Sequence, residues 1–198
     1  QAELRTANMP LIAYNGALIL DGSGNVLQSI EIPFAITNRI CTHLSDSELH
    51  FSLYNNSEWV VPALDFWAKR EQNNTRVTPD VRPLKETLEL WDRKHQGAHK
   101  IMVMGEPVDL DHIEQFISEN FSEQINAYRS KDNYLEISNK ELDKASALAF
   151  LLSAEYPEID MEDVMAFGDN YNDQTLLEQV GRGVAVANAK PEILEATP

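Results

Sequence analysis

The stretch from Val164 to Asp173 limits what this chain can fold into more than any other part of it. A short apolar run of strand length ends at Gly168, acidic residues follow, and a helix-like pattern covers residues 173–180. Strand, glycine-containing loop and helix in this order are typical of α/β sheets, which bind ligands at the carboxyl ends of their parallel strands. The stretch therefore predicts a ligand site in the loop that follows the strand.

Two carboxylates, Asp169 and Asp173, stand four residues apart in this loop. Mg²⁺ in proteins is usually held by one or two carboxylates, by waters and by the phosphate of a substrate. Asn172 is neutral and can donate hydrogen bonds to a phosphate oxygen near the start of the following helix. The same residue types also serve as turn and N-cap residues, and spacing alone leaves both interpretations open.

Lys144 is the candidate cation for this site. Asp143 predicts the N-cap of a helix over residues 144–154, so Lys144 stands in the first turn of that helix. A lysine in such a position is ordinarily solvated. Because this helix directly precedes the strand at residues 164–167, the ends of both elements could face one crevice. A lysine there would bind phosphate and offset the repulsion between carboxylates.

The rest of the chain alternates between strand-like and helix-like patterns. Asn15 and Gly16 between two apolar runs predict a two-residue hairpin, which a second turn extends to a small antiparallel meander. No long helix stands out in the proline-punctuated region that begins at Glu31. The alternation near the C-terminus predicts parallel strands joined by crossover helices. Helices are predicted at 57–70, 83–93, 107–121 and from Pro191, and strands at 99–104, 125–128, 134–137 and 184–186.

Length and charge narrow the possible functions. A chain of 198 residues can form one large domain or two small ones. The net charge of −16 disfavours binding to nucleic acids and anionic membranes, because both depend on Lys and Arg that neutralise phosphates. The single Cys41 cannot form an intrachain disulfide, and no apolar run approaches the roughly 20 residues of a membrane span. We therefore expect a protein of the cytoplasm.

Other motifs for catalysis or metal binding are weak. His95 and His99 have the spacing of a zinc-binding pair on one helix face, but Gly97 lies between them and they straddle a predicted helix end and strand start. The sequence contains no nucleophile elbow and no P-loop. The loop around Asp169 thus remains the principal candidate site.

The order of these motifs resembles the haloacid dehalogenase superfamily phosphatases of the Cof type. The motifs are Lys144, the loop from Gly168 to Asp173, and the run from Gly183 to Ala189, and the segment from Leu11 to Ala17 resembles the hairpin that precedes the cap in that family. The resemblance implies an α/β fold with a Rossmann-like parallel-sheet core in residues 1–28 and 130–198. A large inserted α/β cap would occupy residues 29–129.

The resemblance also implies an activity and assigns roles to four residues. The expected enzyme is a Mg²⁺-dependent phosphatase acting on small phosphorylated metabolites such as a sugar phosphate or a nucleotide. Lys144 is expected to bind phosphate and to act in catalysis together with Asp173, and Asn172 is expected to contact phosphate. Asp169 is expected to ligate Mg²⁺, while Asp173 supports either the metal site or the lysine.

The sequence departs from this family at its start. Members begin with an apolar strand ending in Asp-x-Asp-Gly-Thr, whose first Asp is the nucleophile, and this motif does not precede Leu11. We therefore expect the nucleophile-bearing segment to be missing and the core to be incomplete at both ends, with an exposed sheet edge or apolar face. Without that carboxylate the covalent step cannot follow the family's route, and half a metal site should bind Mg²⁺ weakly. The alternative function is an inactive chain that serves as a binding or interaction module.

Overall fold

The computed structural model describes residues 9–196. The chain forms two units, and it passes from the first to the second and back again. One unit, which we call the split unit, comprises Gln1–Ile30 and Leu142–Pro198, and the other, the inserted unit, comprises Glu31–Glu141. Residues 1–8 and 197–198 of the expected core lie outside the described part of the chain. Within residues 9–196 no helix is long and apolar enough to cross a membrane.

The split unit begins with an antiparallel meander. It consists of β1 (Leu11–Ala13), β2 (Leu18–Leu20) and β3 (Val26–Ser29), hydrogen-bonded in that order. The meander confirms the sequence prediction, but the two-residue turn was wrong. Ala13 pairs with Leu18, so the loop holds four residues, and Tyr14 adopts a positive φ together with Asn15 and Gly16.

The inserted unit is built on a six-stranded sheet. The strand order is β6-β5-β4-β7-β9-β8, and all neighbours are antiparallel except β5 and β6. In chain order the elements are α1 (Phe34–Ser45), β4 (His50–Asn55), β5 (Glu58–Val61), α2 (Phe66–Thr75), β6 (Asp80–Val81), α3 (Leu84–Lys94), β7 (Lys100–Met104), α4 (Pro107–Phe121), β8 (Ile125–Lys131) and β9 (Tyr134–Asn139).

One large apolar core fixes this unit. Side chains from α1, α3 and α4, among them Ile40, Trp91 and Leu110, pack with strand residues such as Ile101 and Leu135. Each of these five side chains is fully buried, and burying a large apolar side chain contributes about 1.5–3 kcal/mol. These apolar side chains attach the three helices to the sheet.

Four elements of this unit, α1, β4, β5 and β6, were not predicted from the sequence. Helix α1 is rich in β-branched residues and begins after Pro33 with no side-chain cap, so local preferences hardly mark it. The helix predicted at 57–70 was wrong in its first half, where Trp59, Val60 and Val61 belong to β5. Aromatic and β-branched residues fit a strand that pairs with β4, and this pairing outweighs the weak helical spacing.

The division between the units differs from the predicted cap limits. Residue 129 falls inside β8, and β9 pairs with both β7 and β8, so the inserted unit continues to Glu141. The Asn139 side chain donates a hydrogen bond of 3.0 Å to the backbone oxygen of Glu31. This bond ties the first and last parts of the inserted unit together.

The split unit resumes with alternating helices and strands. These are α5 (Lys144–Glu155), β10 (Met165–Gly168), α6 (Gln174–Gln179), β11 (Arg182–Ala185) and α7 (Pro191–Ala196). Strands β10 and β11 are parallel and α6 connects them, as the sequence predicted. Asp143 accepts hydrogen bonds from the amides of Ala145 and Ser146, which confirms it as the N-cap of α5. The α/β fold class with parallel strands is therefore confirmed.

Apolar side chains are exposed along β10. Among the strands that the structure describes, β10 is hydrogen-bonded only to β11, which leaves its other edge unpaired. Met165 is 49% exposed and Phe167 62% exposed.

A buried histidine joins α2 to the sheet of the inserted unit. His50 Nδ1–H donates to Asp65 Oδ2 over 2.8 Å, and Asp65 caps α2 by accepting from the amide of Ala68. His50 Nε2 lies 2.9 Å from Ser52 Oγ, which accepts from Trp59 Nε1–H. Although this order of residues resembles a nucleophile triad, Ser52 is fully buried, so the chain of bonds stabilises the fold.

The inserted unit should become less stable as the pH falls below about 6.5. Burial lowers the pKa of His50, which Asp65 offsets only in part, and burial likewise lowers the pKa of His99. A folded state with a lowered histidine pKa binds fewer protons than the unfolded state, so stability is complete above the unfolded pKa and declines below it. We expect up to about 1 kcal/mol per histidine between about pH 7.5 and about pH 5.5.

Urea unfolding followed by tryptophan fluorescence measures this effect, because all three tryptophans lie in the inserted unit. His50→Gln should reduce the pH dependence, whereas His112→Gln, which changes an exposed residue, should leave it as in the wild type. A wild-type unfolding midpoint that does not change over this pH range would contradict the prediction.

Candidate active site

The structure brings Lys144 and the loop after β10 together. Lys144 is the first residue of α5, while Asp169, Asn172 and Asp173 lie between β10 and α6. Lys144 Nζ donates to Asp173 Oδ1 over 2.5 Å. The lysine that the sequence placed near the acidic loop is thus in direct contact with one of its two carboxylates.

Both oxygens of Asp173 are engaged. Oδ1 accepts from Lys144, and Oδ2 accepts from the amides of Asp169 and Asn170 over 3.0 and 3.2 Å. Burial raises the pKa of this carboxyl, but the lysine and the two amides outweigh it and hold the pKa below the ordinary value of 3.8. With only 6% of its surface exposed, Asp173 is a fixed anion that orients Lys144 and closes the loop.

The local capping interpretation also applies to part of the loop. A short 3₁₀ turn, Tyr171–Asp173, follows Asn170, whose side-chain oxygen accepts from the amide of Tyr171 over 2.9 Å. Asn170 and Asp173 therefore do the work of turn and cap residues, which spacing alone had left open. This capping does not use the side chains of Asp169, Tyr171 and Asn172.

Asn172 contacts a residue that the sequence did not single out as functional. Its Nδ2–H donates to Asn15 Oδ1 over 3.1 Å, across a separation of 157 residues in the chain. The only sequence signal at Asn15 was the positive φ that the hairpin requires, and it carries no information on a contact so distant in sequence. Asn15 thus joins Lys144, Asn172 and Asp173 at the site.

A cleft opens beside these side chains. Its volume is about 410 Å³, and it is lined by polar residues and by apolar residues of β1, α5, β10 and α6. The lining residues are Ile12, Tyr14, Asn15, Lys144, Leu148, Phe167, Asp173 and Leu176. A mostly apolar cleft with a few convergent polar groups is the usual form of a small-molecule site.

Of the two carboxylates in the loop, Asp169 fits a metal ion and Asp173 does not. Asp169 has an exposed carboxylate, and a single carboxylate with waters and a substrate phosphate can hold Mg²⁺. Asp173 does not fit as a ligand here, because Lys144 and two backbone amides use its oxygens. In residues 9–196 no three His, Cys, Asp or Glu side chains are grouped to hold a metal. The donor set therefore favours Asp173 as the support of the lysine and Asp169 as the metal ligand.

Comparison with known proteins gives a consistent result. Residues 2–198 match the family described as haloacid dehalogenase-like hydrolase. A Haemophilus influenzae protein named "Putative phosphatase" is 33% identical over 196 residues, which cover 98% of this chain and 70% of that protein. The HMP-PP phosphatase of Citrobacter koseri is 28% identical over 195 residues, covering 95% of this chain and 66% of that protein.

The fold is also found among solved structures. A crystal structure of a Thermotoga maritima protein superimposes with a TM-score of 0.80 and 29% identity. The match covers 95% of this chain and 68% of that one. The chain thus spans roughly two thirds of the length of the proteins it resembles.

Proposed function

The chain belongs to the haloacid dehalogenase-like hydrolase family, and on that premise we propose that it is a Mg²⁺-dependent phosphomonoester hydrolase for small phosphorylated metabolites. The observation that carries the proposal is the contact of 2.5 Å between Lys144 and Asp173 beside the cleft. A lysine held by a buried carboxylate has its rotamers restricted before a ligand arrives, so less entropy is lost when it binds phosphate.

Phosphate binding is assigned to Lys144 and Asn172. The ammonium group would neutralise charge on the phosphoryl oxygens, and the amide of Asn172 would donate a hydrogen bond to one of them. Asp173 holds Lys144 at the cleft through their ion pair. Lys144 is the residue of this group that brings a positive charge to the cleft, in a chain whose net charge is −16.

Asp169 is the proposed Mg²⁺ ligand. A bound Mg²⁺ would act as a Lewis acid toward the phosphoryl group. Asp169 itself contributes an exposed carboxylate, held at the carboxyl end of β10 by the turn that Asp173 closes. A single protein carboxylate is a weak anchor, so we expect metal and phosphate to bind more tightly together than either does alone.

The proposal assigns the nucleophile to no residue of this chain. The family motif Asp-x-Asp-Gly-Thr is not found within the 198 residues. The second candidate function is a binding module, a chain that binds phosphorylated ligands without turning them over.

The substrate class is proposed from the site and from a relative. The cleft of about 410 Å³ has the size of a small-metabolite site, and one relative is named for HMP-PP as its substrate. A sugar phosphate or a nucleotide fits the same description.

Two assays on the 198-residue chain test the proposal. Titration with inorganic phosphate in the presence of Mg²⁺ should show binding that Lys144→Met weakens about tenfold or more, since a charged hydrogen bond is lost. Lys85→Met, which changes a lysine exposed on the inserted unit, should bind as the wild type does.

Hydrolysis of p-nitrophenyl phosphate separates the two candidates. Turnover that Asp169→Asn abolishes would support the enzyme, and phosphate binding without turnover would support the binding module. If phosphate does not bind, or binds equally to Lys144→Met, the proposed site is wrong.

A further inference from the structure

The tip of the first hairpin has an unusual backbone. Tyr14, Asn15 and Gly16 follow one another with φ values of 54°, 58° and 107°. A positive φ is uncommon for residues other than glycine, is costly for a bulky residue such as tyrosine, and persists only where the surroundings enforce it. Such conformations are enriched at functional sites, which makes the tip a candidate for more than chain reversal.

Close packing against α5 enforces this conformation. A Cβ at Gly16 would lie 2.9 Å from Ala147 Cβ and 3.1 Å from the backbone oxygen of Asp143, so only glycine allows the tip to approach so closely. Ala17, the next residue, is fully buried, and its amide donates to the backbone oxygen of Tyr14 over 3.2 Å. The tip is therefore fixed to the first turn of the helix that carries Lys144.

This placement brings Asn15 to the cleft. It lines the cleft together with Lys144 and Asp173, and its Oδ1 accepts from Asn172 Nδ2–H over 3.1 Å. A primary amide carries two N–H donors, so this bond occupies one donor of Asn172 and leaves the other for an anion.

We propose that Asn15 is a positioning residue for phosphate binding, because it holds the Asn172 amide in the orientation that donates to a phosphate oxygen. The inference rests on the proposed function of Asn172. Without Asn15, Asn172 would have to be ordered when phosphate binds. Ordering one side chain costs enough to weaken binding by about three- to tenfold.

Two substitutions separate the side chain from the backbone. Asn15→Gly keeps a left-handed backbone without strain and removes the amide. Asn15→Asp keeps an oxygen that can accept from Asn172. We expect Asn15→Gly to weaken the binding of inorganic phosphate with Mg²⁺ by about three- to tenfold. In the absence of ligand, ¹⁵N relaxation should show a more mobile Asn172 side chain in Asn15→Gly than in the wild type. In Asn15→Asp its mobility should stay close to that of the wild type.

A double-mutant cycle provides the readout that a structural role alone would not change. In an Asn172→Ala background, Asn15→Gly should no longer weaken phosphate binding, since the residue that it positions is absent. Equal weakening in both backgrounds, or an Asn172 side chain as ordered in Asn15→Gly as in the wild type, would overturn the inference. Lys144→Met distinguishes the two failures. If it weakens binding while Asn15→Gly does not, only the role of Asn15 is wrong, and if the wild type does not bind phosphate, the proposed function is wrong.

Discussion

Replacing Asp173 with asparagine should destabilise the split unit by about 2–4 kcal/mol. The change removes the anionic partner of Lys144 and places an amide where the carboxylate accepts from the amides of Asp169 and Asn170. Removing one partner of a buried charge pair leaves the other uncompensated. Because the Lys144 side chain is 28% exposed, water offsets part of the loss, and we expect the lower half of that range.

Hydrogen exchange measured by mass spectrometry on peptides from residues 142–196 is the suitable measurement, because the split unit contains no tryptophan. Asp169→Asn is the matched control. It makes the same chemical change at an exposed carboxylate of the same loop and should cost less than about 0.5 kcal/mol. Equal effects of the two substitutions would show that the contacts of Asp173 do not stabilise the loop.

Asp173→Asn should also change how the stability of the split unit depends on pH in the acid range. The pKa of Asp173 is lowered in the folded state, so its contribution is present above the ordinary value of 3.8 and is lost as the pH falls through the lowered pKa. Asp173→Asn has no such group to titrate. Its stability should therefore fall less steeply below about pH 4 than that of the wild type.

Replacing Gly97 with alanine should destabilise the inserted unit by about 2–4 kcal/mol. An alanine Cβ there would lie 1.8 Å from the backbone oxygen of Ile32, so the backbone has to move. That movement would strain the bridge between Ile32 and Ala98, whose hydrogen bond from Ile32 N to Ala98 O measures 2.7 Å. It would also disturb the bond of 2.6 Å from the Gly97 amide to Glu31 Oε2.

Gly105→Ala is the matched control for Gly97→Ala. Its Cβ would meet Leu49 Cδ2 at 2.2 Å, but this atom is the end of a flexible side chain that can rotate away. Urea unfolding followed by tryptophan fluorescence compares the two variants in the same unit. The explanation fails if Gly105→Ala is as destabilised as Gly97→Ala.

Strongly periodic segments could be predicted from the sequence with close bounds. Helix α4 begins and ends at the predicted residues, and α5 begins at Lys144 behind its Asp143 cap. Local signals suffice for such elements: α4 opens with a proline in its first turn, and α5 opens behind a side-chain cap. Helix α1 lacks a side-chain cap and contains many β-branched residues, so its stability comes from packing of Ile36, Ile40 and Leu44 in the core.

The candidate site also has features that could be predicted from the sequence and features that could not. The loop motif and its helix-start lysine could be read from residue types and order, because both depend on elements adjacent in the chain. The saturation of Asp173 by Lys144 and two amides could not be read, since it depends on side-chain placement within about 3 Å. The contact between Asn15 and Asn172 joins residues 157 positions apart, and no local pattern encodes it.

The hydrogen bond from Asn139 to Glu31 has a consequence for how this architecture can vary. It places the two ends of the inserted unit beside each other. The split unit therefore loses little loop-closure entropy by carrying the inserted unit between its two segments. An inserted unit with neighbouring ends can be exchanged or enlarged without breaking the strand pairings of the split unit. It can also be expressed alone. The sequence of the 111 residues from Glu31 to Glu141 can thus change in evolution largely independently of the unit that carries Lys144 and Asp169.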